Sequence, residues 1–254
     1  MKRWFAVLTS VLALPFLCSA AARADAADDC ALPNYLLLGD APLQRLSVAV
    51  AKNKQIEIAV LGTTSSSLPG ADGAANAYPA RLEAALKRRL PSLKVRVVNY
   101  SKPRQPAGEM AESIAKLPLD QKPNLVIWQT GTFEALRGSD PEMFRSHVAD
   151  GVEKLQTGGT DVILMNMQYS PRTESIIALG PYVDSMRWVA REREVPLFDR
   201  LAIMRYWHDT GAINLYAATK DLAIAKRVHD CIGWALAAMI IDAADLQGLE
   251  AKTP

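Results

Sequence analysis

Short apolar runs alternating with helical patterns constrain this chain more than any other feature. Ile56 to Leu61, Val95-Arg96-Val97-Val98, Leu125-Val126-Ile127-Trp128, Val162-Ile163-Leu164-Met165 and Val195-Pro196-Leu197-Phe198 read as strands. The third and fourth runs carry no polar residue, the pattern of strands covered on both faces in a parallel sheet. Between them, apolar residues recur at helical spacing. Leu82, Leu86 and Leu90 define a helix from Tyr78 to Leu90, and Gly108 to Leu117 reads as another. Phe144, Val148, Val152 and Leu155 mark one over Met143–Thr157, and Ile176 to Glu194 reads as a long helix. Ile224, Val228, Ile232, Leu236 and Ile240 mark the last, Leu222–Ala244. Strand–helix alternation of this kind folds as a single-domain α/β/α sandwich with a central, mostly parallel sheet. With 50% apolar and 22% charged residues over 254 positions, disordered and fibrous classes are excluded.

The N-terminus has a different character. Lys2-Arg3 precede an apolar or small-residue run from Trp4 to Leu17, and Ala22-Arg23-Ala24 offers small residues at a cleavage site. That three-part pattern predicts a secretory signal peptide over residues 1–24, shorter than the roughly 20 apolar residues of a membrane span. The mature chain is therefore expected to be exported, periplasmic or secreted, with no stable membrane span. The formal charge is +2; without Lys2, Arg3 and Arg23, 26 basic side chains face 27 acidic ones. The basic balance belongs to the leader, and no nucleic-acid partner is called for. The remaining segments are a polar, loop-rich lead-in over 25–55, the α/β domain over 56–244 and a tail over 245–254. Cys30 and Cys231 remain after cleavage. In an oxidising compartment they can pair, although a cysteine on an apolar helix face is also simply a small buried residue. The cysteines and the three scattered histidines form no metal cluster, and no cofactor motif is present.

In an open parallel sheet, ligands bind outside the carboxyl ends of the strands. Here those ends are Gly62–Ser67, Asn99–Arg104, Gln129–Glu134 and Asn166–Arg172. The first is rich in hydroxyls and glycine-started, but it is no P-loop because no Gly-Lys-Ser/Thr follows. Ile58-Ala-Val-Leu-Gly62-Thr-Thr-Ser-Ser, Val97-Val-Asn99, Asn124-Leu-Val-Ile-Trp-Gln129-Thr-Gly131-Thr132, Asp161 to Arg172 and Leu197-Phe-Asp199-Arg200 follow one another in order. Taken together, over about Ile56 to Ile240, they resemble the blocks of the SGNH (GDSL-type) hydrolases. The resemblance implies ester or acetyl-ester chemistry at the strand ends. It places the nucleophile at Thr64, or at Ser65 if the turn is one residue longer, and an acid of the last block at Asp221.

The catalytic letters of that pattern are substituted. No glycine stands at Lys102–Arg104 where the oxyanion-hole glycine belongs, Phe133 replaces the oxyanion asparagine, and Ile224 stands where Asp221-x-x would place the histidine base. Losing one oxyanion donor costs about 2.7–4 kcal/mol of transition-state stabilisation. A hydroxyl without a base is a weak nucleophile. Two readings follow. In the first the protein is a catalytically degenerate pseudoenzyme that binds a glycan or acylated cell-envelope ligand through Gly62, Asn99, Arg104, Gly131, Phe133, Gln168, Tyr169 and Arg172. In the second it is an active ester hydrolase or O-acyl transferase with a rebuilt site, using Ser65 or Thr64 with a substitute acid or base such as Glu134. The bland alternatives are that Thr63–Ser67 satisfy turn amides and that Glu134 is a surface cap. Nothing in the pattern specifies an oligomeric state.

Overall fold

In the computed structural model, the described residues are 30–37, 39, 41–114, 122–216 and 222–251. Residues 1–24, read as a signal peptide, and Asp221 lie outside them. The sheet has five strands: β1 (Gln55–Leu61), β2 (Lys94–Asn99), β3 (Leu125–Gln129), β4 (Asp161–Met165) and β5 (Leu197–Phe198). Their order is β2-β1-β3-β4-β5 and every pairing is parallel. All five residues of β3 and of β4 are buried, as their unbroken apolar sequences require. The expected α/β architecture is present, and its strand order reverses direction between β1 and β3, the crevice where doubly wound sheets hold ligands.

Helices cover both faces. The longer ones are α1 (Gln44–Asn53), α2 (Tyr78–Arg89), α3 (Ala107–Ile114), α4 (Pro141–Thr157), α5 (Gly180–Glu192), α6 (Arg200–Asp209) and α7 (Ala223–Ala243). Among the described residues no helix is long and apolar enough to cross a membrane.

Two stretches differ from the sequence reading. The lead-in is not loop throughout, since α1 buries Leu46 and Val50 four residues apart. It is tied to the start of β4 by Asp161, whose carboxylate accepts from the Leu46 N–H at 2.9 Å and from Arg45. The long helix begins at Gly180 rather than Ile176. Residues Pro171–Glu174 form a separate short helix, and exposed Ile176 precedes the break.

Close packing sets the distance between helix and sheet at Gly151. A Cβ there would lie 2.2 and 2.4 Å from Cη2 and Cζ3 of Trp128. Trp128 is fully buried and its indole N–H points to Met110 Sδ at 3.1 Å, so the ring has nowhere to go. Helix propensity alone would favour alanine by about 1 kcal/mol, but overpacking costs about 1–3 kcal/mol. Gly151→Ala is therefore expected to lower the urea midpoint, and an unchanged midpoint would show that α4 can step away from β3.

Candidate functional site

The polypeptide leaves β1 at Gly62 and makes a single 3-10 turn over Thr64–Ser66. Glycine is required at 62 because a Cβ would meet Ser66 Oγ at 2.4 Å, Ser101 Oγ at 3.0 Å and Gln129 Oε1 at 3.1 Å. The end of β3 reaches across the switch crevice at this point. Gln129 Oε1 accepts from the Thr63 N–H at 3.1 Å and Thr63 Oγ1 at 3.2 Å. It also accepts from the Ser65 and Ser66 hydroxyls, each at 3.1 Å. One amide oxygen thus gathers the Thr63, Ser65 and Ser66 hydroxyls, while the buried Gln129 Nε2 has no partner among the described residues.

A second layer lies beneath. Ser66 Oγ shares a hydrogen bond of 2.9 Å with Tyr78 Oη. Burial pushes the Tyr78 phenol up to about 12, against the smaller opposing effects of Ser66 and Arg200. Tyr78 opens α2, and its own N–H, left over at a helix start, donates to His229 Nδ1 at 2.8 Å. Burial, and secondarily the Arg200 charge, drive the His229 imidazole down to about 3. It is a neutral acceptor at physiological pH.

The third contributor comes from the end of β5. Arg200 opens α6 and is 1% exposed. Its Nη1 donates to Ser65 Oγ at 3.2 Å and to the Ser65 carbonyl at 3.3 Å, and its Nη2 lies 3.5 Å from Gln168 Oε1. The guanidinium sits 5.8 Å from the centre of the Tyr78 ring. Burial pulls it down to about 10, so it stays charged at neutral pH.

Of the residues singled out from the sequence, Gly62, Ser65 and Gln168 belong to this cluster. Asn99 joins it by donating to the Ser66 carbonyl at 3.1 Å. Thr64 is exposed beside Ser65. Gly131 has φ +97° and starts the short helix Thr132–Arg137, with Phe133 under the Arg137 guanidinium at 5.4 Å. Glu134 is buried rather than a surface cap, and its Oε1 accepts from the Ala107 N–H at the start of α3. Arg104 is exposed with φ 57°. Tyr169 packs between His208 at 5.9 Å and Arg205 at 5.3 Å, while exposed Arg172 reaches the Tyr216 carbonyl.

Gln129, Tyr78, Arg200 and His229 are the members to which sequence reasoning assigned no site role. Gln129 left a trace as the polar end of an otherwise apolar strand, and Arg200 as the last residue of the Leu197-Phe-Asp199-Arg200 block. Among the described residues no group of His, Cys, Asp and Glu side chains is arranged to hold a metal.

A parallel five-stranded sheet in the order β2-β1-β3-β4-β5 is a doubly wound α/β arrangement, and the fold matches that of SGNH-type hydrolases. Solved structures of that type superpose on it: TesA, at 21% identity and TM-score 0.55, covers 70% of this chain and 97% of its own. LAE5, an α/β hydrolase from the metagenome of Lake Arreo, Spain, is 18% identical with TM-score 0.57 over 77% of this chain and 96% of its own. Axe2, an acetylxylan esterase from Geobacillus stearothermophilus, is 16% identical with TM-score 0.55 over 76% and 94% respectively. No curated protein matches the chain. Residues 29–246 match the Non-GDSL lipase-like family, and the chain belongs to that family.

Proposed function

We propose that this protein is an exported ligand-binding member of the SGNH-type hydrolases, which holds a glycan or acylated cell-envelope component at the β1/β3 crevice without hydrolysing it. One observation carries the reading. The Ser65 hydroxyl donates to Gln129 Oε1 and accepts from Arg200 Nη1. Activating a serine requires an adjacent base to take its proton, and an amide oxygen and a guanidinium cannot do so. All three imidazoles of the chain are placed elsewhere. His229 accepts from the Tyr78 N–H, His208 accepts from the Leu215 N–H, and His147 lies against Gly108. Glu134, the substitute acid or base of the rebuilt-site reading, is buried against the start of α3.

Export is supported by the three-part leader and by the Cys30–Cys231 disulfide, a bond that persists outside the reducing cytosol. A sugar-ester ligand is supported by the likeness to Axe2, whose name records an acetylxylan esterase. The test is hydrolysis of short-chain aryl esters by the folded mature protein, with fluorophosphonate labelling, beside Thr64→Ala and Ser65→Ala. We expect no turnover above buffer and no label in any of the three. Turnover and labelling that vanish in one variant would identify a nucleophile and overturn the reading.

A further inference from the structure

Among the described residues, the most deeply buried charge without an opposite partner is Arg200. A buried cation is ordinarily paired with a carboxylate, because a charge taken out of water costs several kcal/mol even after relaxation. The carboxylate next to it in the chain, Asp199, is engaged elsewhere. It receives the Arg187 guanidinium at 2.7 Å, the Asn166 amide at 2.7 Å and the Ala202 N–H at 3.0 Å. Among the described residues Arg200 itself has only neutral oxygens as partners, at 3.2–3.5 Å, long for charge-assisted bonds. Its Nε is buried with no partner among the described residues, and so is the nearby amide donor Gln129 Nε2. The two side chains in contact with its Nη atoms, Ser65 and Gln168, are both partly exposed, so the charged end lies directly under the surface of the crevice.

We propose that the crevice binds a ligand through a carboxylate, held by the Arg200 guanidinium with Ser65 and the side-chain amides of Gln129 and Gln168 around it. This rests on the ligand-binding reading above and names the chemistry of what is bound. The charge balance selects the class. Among the described residues Arg200 is the one buried guanidinium, set among hydroxyls and amides, and His229, on the other side of Tyr78, is neutral at physiological pH. A single buried positive charge neutralises a monoanion. A phosphate monoester, with close to two negative charges, would leave one uncompensated. The planar fork of arginine suits a planar carboxylate. A uronic acid within a polysaccharide joins such a carboxylate to the hydroxyl-rich surface that the Thr63–Ser67 turn would contact.

The test is calorimetric titration of the folded mature protein with sodium glucuronate, glucose and inorganic phosphate at matched ionic strength and neutral pH, repeated on Arg200→Gln and Arg200→Lys. Glucuronate should bind more tightly than glucose or phosphate. Arg200→Gln should weaken glucuronate by roughly ten- to a hundredfold, the loss of one or two charge-assisted bonds. Arg200→Lys should recover part of that affinity. Arg200→Gln removes an unpaired buried charge, so it is expected to fold, which its melting curve checks. Equal binding of glucose and glucuronate, tighter binding of phosphate, or no binding of glucuronate would each overturn the carboxylate assignment. The ester-hydrolysis test reads the parent proposal separately: an inactive protein that binds glucose and glucuronate equally keeps the ligand-binding reading and loses only this one.

Discussion

Reduction of the folded protein with dithiothreitol is expected to lower its melting temperature by roughly 10–20 °C. The Cys30–Cys231 bond closes a loop with a sequence separation of 201 residues, nearly the whole described chain. Cross-linking such distant points removes loop entropy from the unfolded ensemble, worth about 5 kcal/mol on the chain-entropy model. For a chain of this size each kcal/mol moves the midpoint by about 2–4 °C. The bond also fixes what it joins. Cys231 is fully buried on α7, and Cys30 is 5% exposed within the same core. Past Cys30 the chain docks again through Leu43, whose N–H donates to the Ala243 carbonyl at the end of α7 at 2.8 Å. The double variant Cys30→Ala/Cys231→Ala should melt near the reduced protein and show no further response to reductant. A reduced protein melting within a few degrees of the oxidised one would mean that the docking of the N-terminal segment does not need the cross-link.

The parts of the fold readable from the sequence are those set by local periodicity. The strands β3 and β4 are unbroken apolar runs, and burial on both faces leaves such a run no other economical place. The same logic located α2, α4 and α7 to within a residue or two. It failed where polar residues dilute the pattern. In α1 the stripe is only Leu46 and Val50, set among Gln44, Arg45, Lys52 and Asn53, and the helix is fixed by a carboxylate more than a hundred positions away.

The site divides along the same line. The turn at Gly62–Ser67 was visible because it follows a strand. Its chemistry was not, because it depends on which side chains arrive from β3, β5 and α7. Arg200 is 135 residues from Ser65 and His229 is 151 from Tyr78, so neither pairing leaves a local signature. In the sequence His229 is only one of three scattered histidines, next to the apolar Val228. It is drawn inside because the unpaired N–H at the start of α2 needs an acceptor, and that need is invisible until α2 and α7 are known to touch.

That same histidine makes the fold acid-sensitive. His229 titrates at about 3 in the folded protein against an ordinary value of 6.5, held down by burial and by the Arg200 charge. A folded value below the unfolded one means that the unfolded chain takes up the proton first. Stability from this residue is therefore complete above about pH 6.5 and is lost progressively as the pH falls toward 3. The slope is about 1.4 kcal/mol per pH unit, or about 2 kcal/mol by pH 5. Protonation would place a second cation near Arg200 and remove the acceptor of the Tyr78 N–H. The neighbouring Asp230 carboxyl, raised by burial against the lowering effect of Arg81, acts in the opposite sense. It is half exposed, so its contribution is the smaller one. Denaturant unfolding at pH 7 and pH 5, in buffers without carboxylates, should show the wild type losing markedly more stability than His229→Gln. The glutamine retains an acceptor for the Tyr78 N–H and cannot take up a proton. Equal losses in the two proteins would show that another group governs the acid limb.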